Sequence, residues 1–337
     1  MSASTTRAWV ADAVDAVAEA TVAPSFSRAG VALRKRLEGW APPPSLSGRT
    51  VVVTGATSGI GLATALGLGR LGASVHIVGR DLARAEQARA QVAVAGTGQV
   101  EVDLVDMSEP GAVEALGRRL ADRYGELGAL VHGAGALSHS YAANSGGTEI
   151  TVATQVLGPH VLTAALAPSL WRARGNIVVV SSGGMYSRRF DLDRLEMGRE
   201  GYDGVEAYAR SKRAQVLLAE AWAARFGAAG VSSYSMHPGW VDTPGLRAGL
   251  PRFYQLWRPL LRTPEEGADT AVWLAAGGAT AREGQSRASG FYLDRRPRPT
   301  QKFPIVHPSR PGDPEALVEW CTERTGIALP LFGAPVA

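Results

Sequence analysis

The sequence predicts an α/β fold, a doubly wound parallel sheet with helices on both faces. Three observations carry that prediction. From Arg49 onward, short β-branched runs alternate with helical stretches, the pattern of βαβ units. The first run passes directly into the Gly-rich segment Thr54-Gly55-Ala56-Thr57-Ser58-Gly59-Ile60-Gly61. Downstream, after a run that ends in Ser181-Ser182, comes Tyr208-Ala209-Arg210-Ser211-Lys212.

The first forty-odd residues stand apart. A helix is predicted over 6–22, with Trp9, Val10, Ala13, Val14 and Val17 on one face and Pro24 as its stop. A second is predicted over 27–40, with Val31, Leu37 and Trp40 apolar and Arg34, Lys35 and Arg36 charged. Pro42-Pro43-Pro44 then makes a stiff linker. Two readings stand: a helical arm packed on the main domain or a second subunit, or a peripheral membrane anchor that uses tryptophans and basic residues beside an apolar face. Strands are predicted over 50–54, 74–78, 100–104, 129–132, 176–181 and 231–236, with a last one near 290–293. The C-terminal segment carries one helix over 314–325. The expected organisation is an N-terminal arm over 1–45, a sheet domain over 46–295 and a C-terminal extension over 296–337.

The bulk numbers fit this picture. With 337 residues, 45% hydrophobic and only 20% charged, the chain has ample material for a core. The net charge is +4, and the basic residues are scattered apart from Arg34-Lys35-Arg36 and Arg295, Arg296 and Arg298. Neither cluster forms a stripe with interleaved aromatics, so no nucleic-acid partner is expected. Both read as solvated surface with a mild attraction for phosphates. The single cysteine, Cys321, excludes an internal disulfide, and six dispersed histidines without H-E-x-x-H spacing give no reason to expect a metal. A reducing, cytoplasmic compartment is compatible with this. No apolar run of membrane-spanning length is read, and the N-terminus lacks the layout of a signal peptide.

The Gly-rich turn has a physical logic. Gly55 permits a tight turn, Gly59 lets the backbone approach a pyrophosphate, and Gly61 lets the following helix pack closely. That helix presents free N–H groups and the positive end of its dipole to phosphates. No Gly-Lys-Ser/Thr ends the motif, which argues against a P-loop. Strand two ends in Val78-Gly79-Arg80-Asp81. A carboxylate at the strand tip would bind the adenosine ribose and favour NAD; here Gly79 and then Arg80 stand there, and a guanidinium suits a 2′-phosphate. The reading leans to NADP(H). Asp81, a helix N-cap that still reaches the ribose, keeps NAD(H) open. Asp106 either accepts from an adenine amino group, with the Met107 N–H meeting the ring, or caps a helix; both readings stand.

Tyr208 and Lys212 lie four apart, on one helix face. An ammonium beside a phenol favours phenolate, so the tyrosine becomes able to give and take a proton. With the glycine turn and the serine pair in the right order, the chain reads as a nicotinamide-dependent oxidoreductase.

Thr54–Gly61, Ser182, Tyr208, Lys212 and His237-Pro238-Gly239-Trp240-Val241-Asp242-Thr243 together resemble the short-chain dehydrogenase/reductase family, over roughly 47–294. The segments 181–185 and 236–245 look closest to its orphan retinol-dehydrogenase-like members. The resemblance implies a Rossmann sheet and specific roles. Tyr208 is the acid in reduction and the base in oxidation. Lys212 lowers the tyrosine pKa and holds the nicotinamide ribose, and Ser182 bonds the substrate oxygen. Val241 and Thr243 meet the carboxamide and phosphates. Two departures stand out. The family's Asn-Asn-Ala-Gly is His132-Gly133-Ala134-Gly135 here, with Gly133 keeping the permissive backbone beside the cofactor. The family's catalytic-site asparagine is replaced by Gln155, one methylene longer.

Two apolar segments are expected to border the nicotinamide: Tyr186, Phe190, Leu192, Leu195 and Met197 in an insert over 185–202, and Leu246, Leu250, Phe253, Tyr254 and Trp257 after Thr243. They suit a lipophilic carbonyl or alcohol, or else they cover the sheet or a neighbouring subunit. Arg188 and Arg189 would instead greet an anionic group on the substrate. The reading is an NADP-preferring oxidoreductase that interconverts a carbonyl and an alcohol. The rivals are an NADP(H)-binding scaffold or sensor that has lost turnover, and a membrane-surface protein that uses the arm.

Overall fold

In the computed structural model, which describes residues 3–135, 137–279, 289–302 and 309–332 and side chains from residue 12 onward, the alternating segments assemble one sheet. Its strands are β1 Thr50–Thr54, β2 Ser74–Gly79, β3 Val100–Leu104, β4 Ala129–His132, β5 Asn176–Val180, β6 Ser232–Met236, β7 Ser289–Leu293 and β8 Arg296–Arg298. The order is β3-β2-β1-β4-β5-β6-β7-β8. Strands β1 to β7 pair in parallel, and β8 returns antiparallel to β7. Strand order reverses between β1 and β4, where Val53 pairs with Val131 and Thr54 with His132. In such sheets the crevice at the carboxyl ends beside this reversal is where ligands bind.

The near-continuous apolar strands follow from burial on both faces. Successive residues point to opposite sides. Val52, Ile177 and Val179 enter the core beneath the helices Pro110–Arg123, Ile150–Ala173 and Gly204–Phe226. Val51, Val53, Val178 and Val180 enter the opposite core, beneath Gly59–Arg70 and Pro264–Ala275. The run Ile150–Ala173 does have the length and hydropathy of a membrane span, contrary to expectation, but it is mostly buried inside the fold.

The N-terminal arm forms α1 Ala3–Ala20, α2 Val22–Phe26 and α3 Arg28–Glu38. Its inward face differs from the expected one. Ala13 and Val17 point to solvent, while Asp15 and Ala18 are buried; the side chains of Trp9 and Val10 lie outside the described ones. The reason is electrostatic. The Asp15 carboxylate meets Arg34 at 2.6 Å, Arg296 at 2.7 Å and Arg298 at 2.6 Å. Burial pushes its pKa up, but the hydrogen bonds and charges of Arg298 and Arg34 outweigh that and hold it well below the ordinary carboxylate range.

The two basic clusters are therefore not merely solvated surface. Arg34 is 1% exposed and also reaches Asp294 at 2.5 Å. Arg295 pairs with Asp269, and Arg296 also pairs with Glu38. Arg296 and Arg298 belong to β8, so the sheet runs three residues beyond 295, where the sequence ends the sheet domain. The β7–β8 turn is Asp294-Arg295, both left-handed at φ 54° and 57°. That suits a two-residue hairpin but strains non-glycine residues; Asp294 is held there by Arg34 and Arg262. In the C-terminal segment, the helix Asp313–Thr325 seats Leu317 and Cys321 in the main core. Burial raises the Cys321 thiol pKa far above its ordinary value.

Candidate functional site

The Gly-rich turn is built for close approach. Gly55 has φ 68° and Gly59 φ 53°, conformations that favour glycine. A Cβ on Gly55 would stand 2.7 Å from the backbone of Ala134, so β1's exit lies against β4's. Thr54 Oγ1 accepts from the Gly133 and Ala134 N–H groups at 3.2 Å each and fastens the two exits together. A Cβ on Gly61 would collide with the Gly55 carbonyl, so this glycine serves the turn itself more than helix-to-sheet packing. Ser58 is exposed, Thr57 and Ile60 are half-buried, and no side chain caps the helix that begins at Gly59. Its N–H groups thus face the crevice without an internal side-chain acceptor.

The loop after β6 closes on this turn. Thr243 Cγ2 lies 3.2 Å from where a Gly59 Cβ would be, and Thr243 Oγ1 accepts from Leu246 N–H. Val241 is buried and forms a parallel bridge with Arg262. At the tip of β2, Arg80 is exposed, while Asp81 turns back to accept from the Arg84 N–H at 2.8 Å. A Cβ on Gly79 would stand 2.6 Å from Thr57 Cγ2. Asp106 is not the N-cap of the next helix, which is Glu109; its Oδ1 accepts from Ser108 N–H and Oγ. Met107 is buried beneath Gly158.

The second group comes from β5 and the helix Gly204–Phe226. That helix starts at Asp203, whose carboxylate accepts from Val205 and Glu206 N–H, and it carries Tyr208 and Lys212 one turn apart. Ser182 sits where β5 exits, as the cap of a short 3-10 turn. Its Oγ accepts from Gly184 N–H at 3.2 Å, and it stands near enough to Tyr208 to favour the phenolate. Lys212 Nζ lies 5.4 Å from the centre of the Tyr208 ring. It donates to the Val180 carbonyl at 2.9 Å and to Gln215 Oε1 at 3.0 Å. The pKa directions correct a simple reading of the pair. Burial raises the Tyr208 phenol, and the nearby Ser182 opposes it. Burial lowers Lys212 to about 7. In this state desolvation outweighs the lysine's pull on the phenol.

Gln155 is fully buried, in a π-turn over Ala153–Leu157 that interrupts the long core helix. Its side chain lies against Gly135: a Cβ there would be 3.0 Å from Gln155 Cδ. His132 does not reach the neighbouring strand; its Nε2 bonds Thr163 Oγ1 at 2.8 Å, and burial lowers its pKa to about 3, leaving a neutral ring. Thr54 makes the strand-to-strand bonds instead.

Of the two apolar segments, the first is mainly core. Tyr186, Phe190 and Leu195 are buried, and the Tyr186 hydroxyl donates to the Pro299 carbonyl. In the second, Leu246, Leu250, Phe253, Tyr254 and Trp257 are half-buried, and Trp240, Phe253 and Trp257 cluster. Arg188 faces Glu206 at 3.7 Å, and Arg189 is exposed.

Several site residues escaped the sequence reading. Gln215 had a signal, its position three after Lys212 on the same helix. Phe26 and Arg262 had none. Phe26 packs 4.5 Å from the His237 ring, and a Cβ on Gly183 would stand 2.7 Å from it. Its carbonyl accepts from Trp240 N–H at 2.8 Å and from Arg262 Nε at 3.0 Å. Arg262 also donates to Pro238 O and Ser25 O. The arm thus braces both the turn after Ser182 and the loop that carries Val241 and Thr243.

Residues 49–250 match the family described as short chain dehydrogenase. The chain is similar to dehydrogenase/reductase SDR family member 12 of Homo sapiens, at 36% identity over 276 residues, 81% of this chain and 85% of that protein. It is similar to retinol dehydrogenase 11 of Mus musculus, at 33% identity over 234 residues, 68% of this chain and 74% of that protein. Among solved structures, the 3-oxoacyl (acyl-carrier-protein) reductase of Agrobacterium tumefaciens C58 with NADP bound is 25% identical, with a TM-score of 0.58 over 73% of this chain and 93% of that one.

Proposed function

The chain belongs to the short-chain dehydrogenase/reductase family, an NAD(P)-dependent oxidoreductase acting between a carbonyl and an alcohol, and from that premise we propose that it prefers NADP(H) and takes a lipophilic substrate. The observation that carries the catalytic reading is the Ser182–Tyr208–Lys212 cluster at the carboxyl edge of the sheet. In this reading, Gly55, Thr57, Ser58, Gly59, Ile60 and Gly61 cradle the pyrophosphate at the helix N-terminus. Gly133 leaves room beside it, Asp106 and Met107 flank the adenine, and Val241 and Thr243 hold the nicotinamide end. The cofactor supplies the hydride. Tyr208 donates the proton to the carbonyl oxygen, Ser182 holds that oxygen, and Lys212 supports the phenolate left behind. Gln155 shapes the floor of the site through Gly135.

The NADP preference is supported by Arg80. It is exposed at the β2 tip while Asp81 is engaged as a cap, and Thr57 crowds the place where an NAD-type carboxylate would grow from position 79. The lipophilic substrate is supported by the half-buried segment after Thr243, and by the retinol dehydrogenase among the relatives. The single buried cysteine suits a reducing, cytoplasmic compartment. For membrane contact, Lys35 and Arg36 remain exposed, whereas Arg34 is committed inside the fold.

The test is NADPH-dependent reduction of a carbonyl panel by the full chain and by Tyr208→Phe. Turnover that falls at least about a hundredfold in the variant supports the reading; turnover unchanged by it removes the tyrosine's role. The second reading, a scaffold that binds NADP(H) without hydride transfer, is motivated by Gln155 at the asparagine position. Robust turnover by the unmodified chain eliminates it.

A further inference from the structure

We propose that Gln215 is a positioning residue that holds the Lys212 ammonium in working position by tying it to the main-chain carbonyl of Gln155. The inference rests on the reading of Tyr208 and Lys212 as the proton-transfer pair. Gln215 is 1% exposed. Its Oε1 accepts from Lys212 Nζ at 3.0 Å, and its Nε2 donates to the Gln155 carbonyl at 2.9 Å. The second bond sets the first. An amide has one accepting and one donating end, so once Nε2 is held by a carbonyl, Oε1 must face the ammonium. The carbonyl comes from the π-turn Ala153–Leu157, a local widening of the kind that recurs at functional sites. The Val180 carbonyl, two residues before Ser182, takes a second ammonium N–H at 2.9 Å.

A neutral amide is the right chemistry for this post. It compensates a buried ammonium without cancelling its charge, so the positive field toward Tyr208 survives. A carboxylate would neutralise the lysine and repel the Gln155 carbonyl; an apolar side chain would leave a buried cation short of an acceptor. Tyr208 is the titratable group that faces Lys212 along its own helix. The groups that meet it from β5 and from the π-turn, Val180 O and Gln215 against Gln155 O, do not titrate. Burial is the cause of its lowered pKa.

The experiment reads the lysine itself. The chain has three lysines, Lys35, Lys212 and Lys302, so side-chain nitrogen NMR of 15N-lysine-labelled full-length protein resolves each titration. Lys212 is expected to titrate near neutrality in the unmodified protein, lower in Gln215→Met, and higher in Gln215→Glu, with Lys35 unchanged. In parallel, kcat/KM for NADPH-dependent reduction of decanal and phenanthrenequinone is expected to fall about tenfold in Gln215→Met, and its pH limb to move to lower pH, while KM for NADPH stays within about threefold. A merely structural glutamine would lower the melting temperature and leave the Lys212 midpoint in place. An unchanged midpoint in both variants overturns the proposal, and if Gln215→Met does not fold, Gln215→Glu carries the same decision. Absence of turnover in the unmodified chain would remove the enzymatic reading, whereas the NMR titration would still decide the bridge.

Discussion

Lys212 Nζ stands 5.4 Å from the centre of the Tyr208 ring, yet its hydrogen bonds run away from the phenol, to Val180 and Gln215. The two groups share a helix face, and both are desolvated, so burial pushes each toward its neutral form. Near neutral pH the lysine stands between its two forms while the phenol keeps its proton, so the pair is not locked as ammonium and phenolate.

The first consequence is a pH dependence of reduction. The ammonium is present below the Lys212 midpoint of about 7 and lost above it, while the phenol stays protonated because its pKa is raised. Carbonyl reduction is therefore expected to decline as pH rises through about 7. The measurement is kcat/KM against pH, which reports the free enzyme. A profile flat from pH 6 to 9 would contradict the assignment of Lys212.

Cofactor choice rests on Arg80. Arg80→Ala is expected to weaken NADPH binding by about ten- to a hundredfold, the worth of one charge-assisted phosphate contact, and to change NADH binding less than about twofold. Titration of cofactor fluorescence with both nucleotides separates the cases. Equal losses would end the argument for a 2′-phosphate contact.

Gly135 and Gln155 share one space. Gly135 has φ 156°, and an added Cβ would press on Gln155 Cδ at 3.0 Å. Gly135→Ala is expected to cost about 1–3 kcal/mol through overpacking, read by thermal unfolding. Gln155→Asn in the same chain, one methylene shorter, should recover part of that loss. Additive losses in the double variant would mean that the two do not touch.

The arm depends on Asp294. It accepts from Arg34 at 2.5 Å and from Arg262 at 2.6 and 2.9 Å, with all three residues buried. Asp294→Ala would leave two buried guanidiniums without this carboxylate, a loss on the order of 3–5 kcal/mol. Because Arg262 also holds the Pro238 carbonyl, cofactor affinity should weaken together with stability. Chemical denaturation and NADPH titration measure the two effects. A stable variant with full cofactor affinity would show the brace to be dispensable. Asp15 adds a pH signature. Its folded pKa is depressed, so its contribution is complete above the unfolded value of about 3.9 and is lost as pH falls toward the folded one.

Much of this protein is legible along the chain because its signals are local. The strands at 50–54, 100–104 and 129–132 are read to the residue, since β-branched runs between helical periods need no distant partner to be recognised. The same holds for the Gly55–Gly61 turn and for the one-turn spacing of Tyr208 and Lys212. Gln215 lay within reach of the same helical arithmetic, one turn beyond the lysine.

What the sequence by itself determined, then, is the doubly wound sheet, the glycine turn after its first strand and the shared helix face of Tyr208 and Lys212, because backbone period and glycine geometry act over a few residues. What only the tertiary structure decided is which charges are interior. Arg34, Arg296 and Arg298 read as surface until Asp294 meets the first from 260 positions away and Asp15 meets the other two from more than 280. A cation's place inside or outside a protein depends on whether a carboxylate arrives to replace its water, and contact at that sequence distance leaves no local trace.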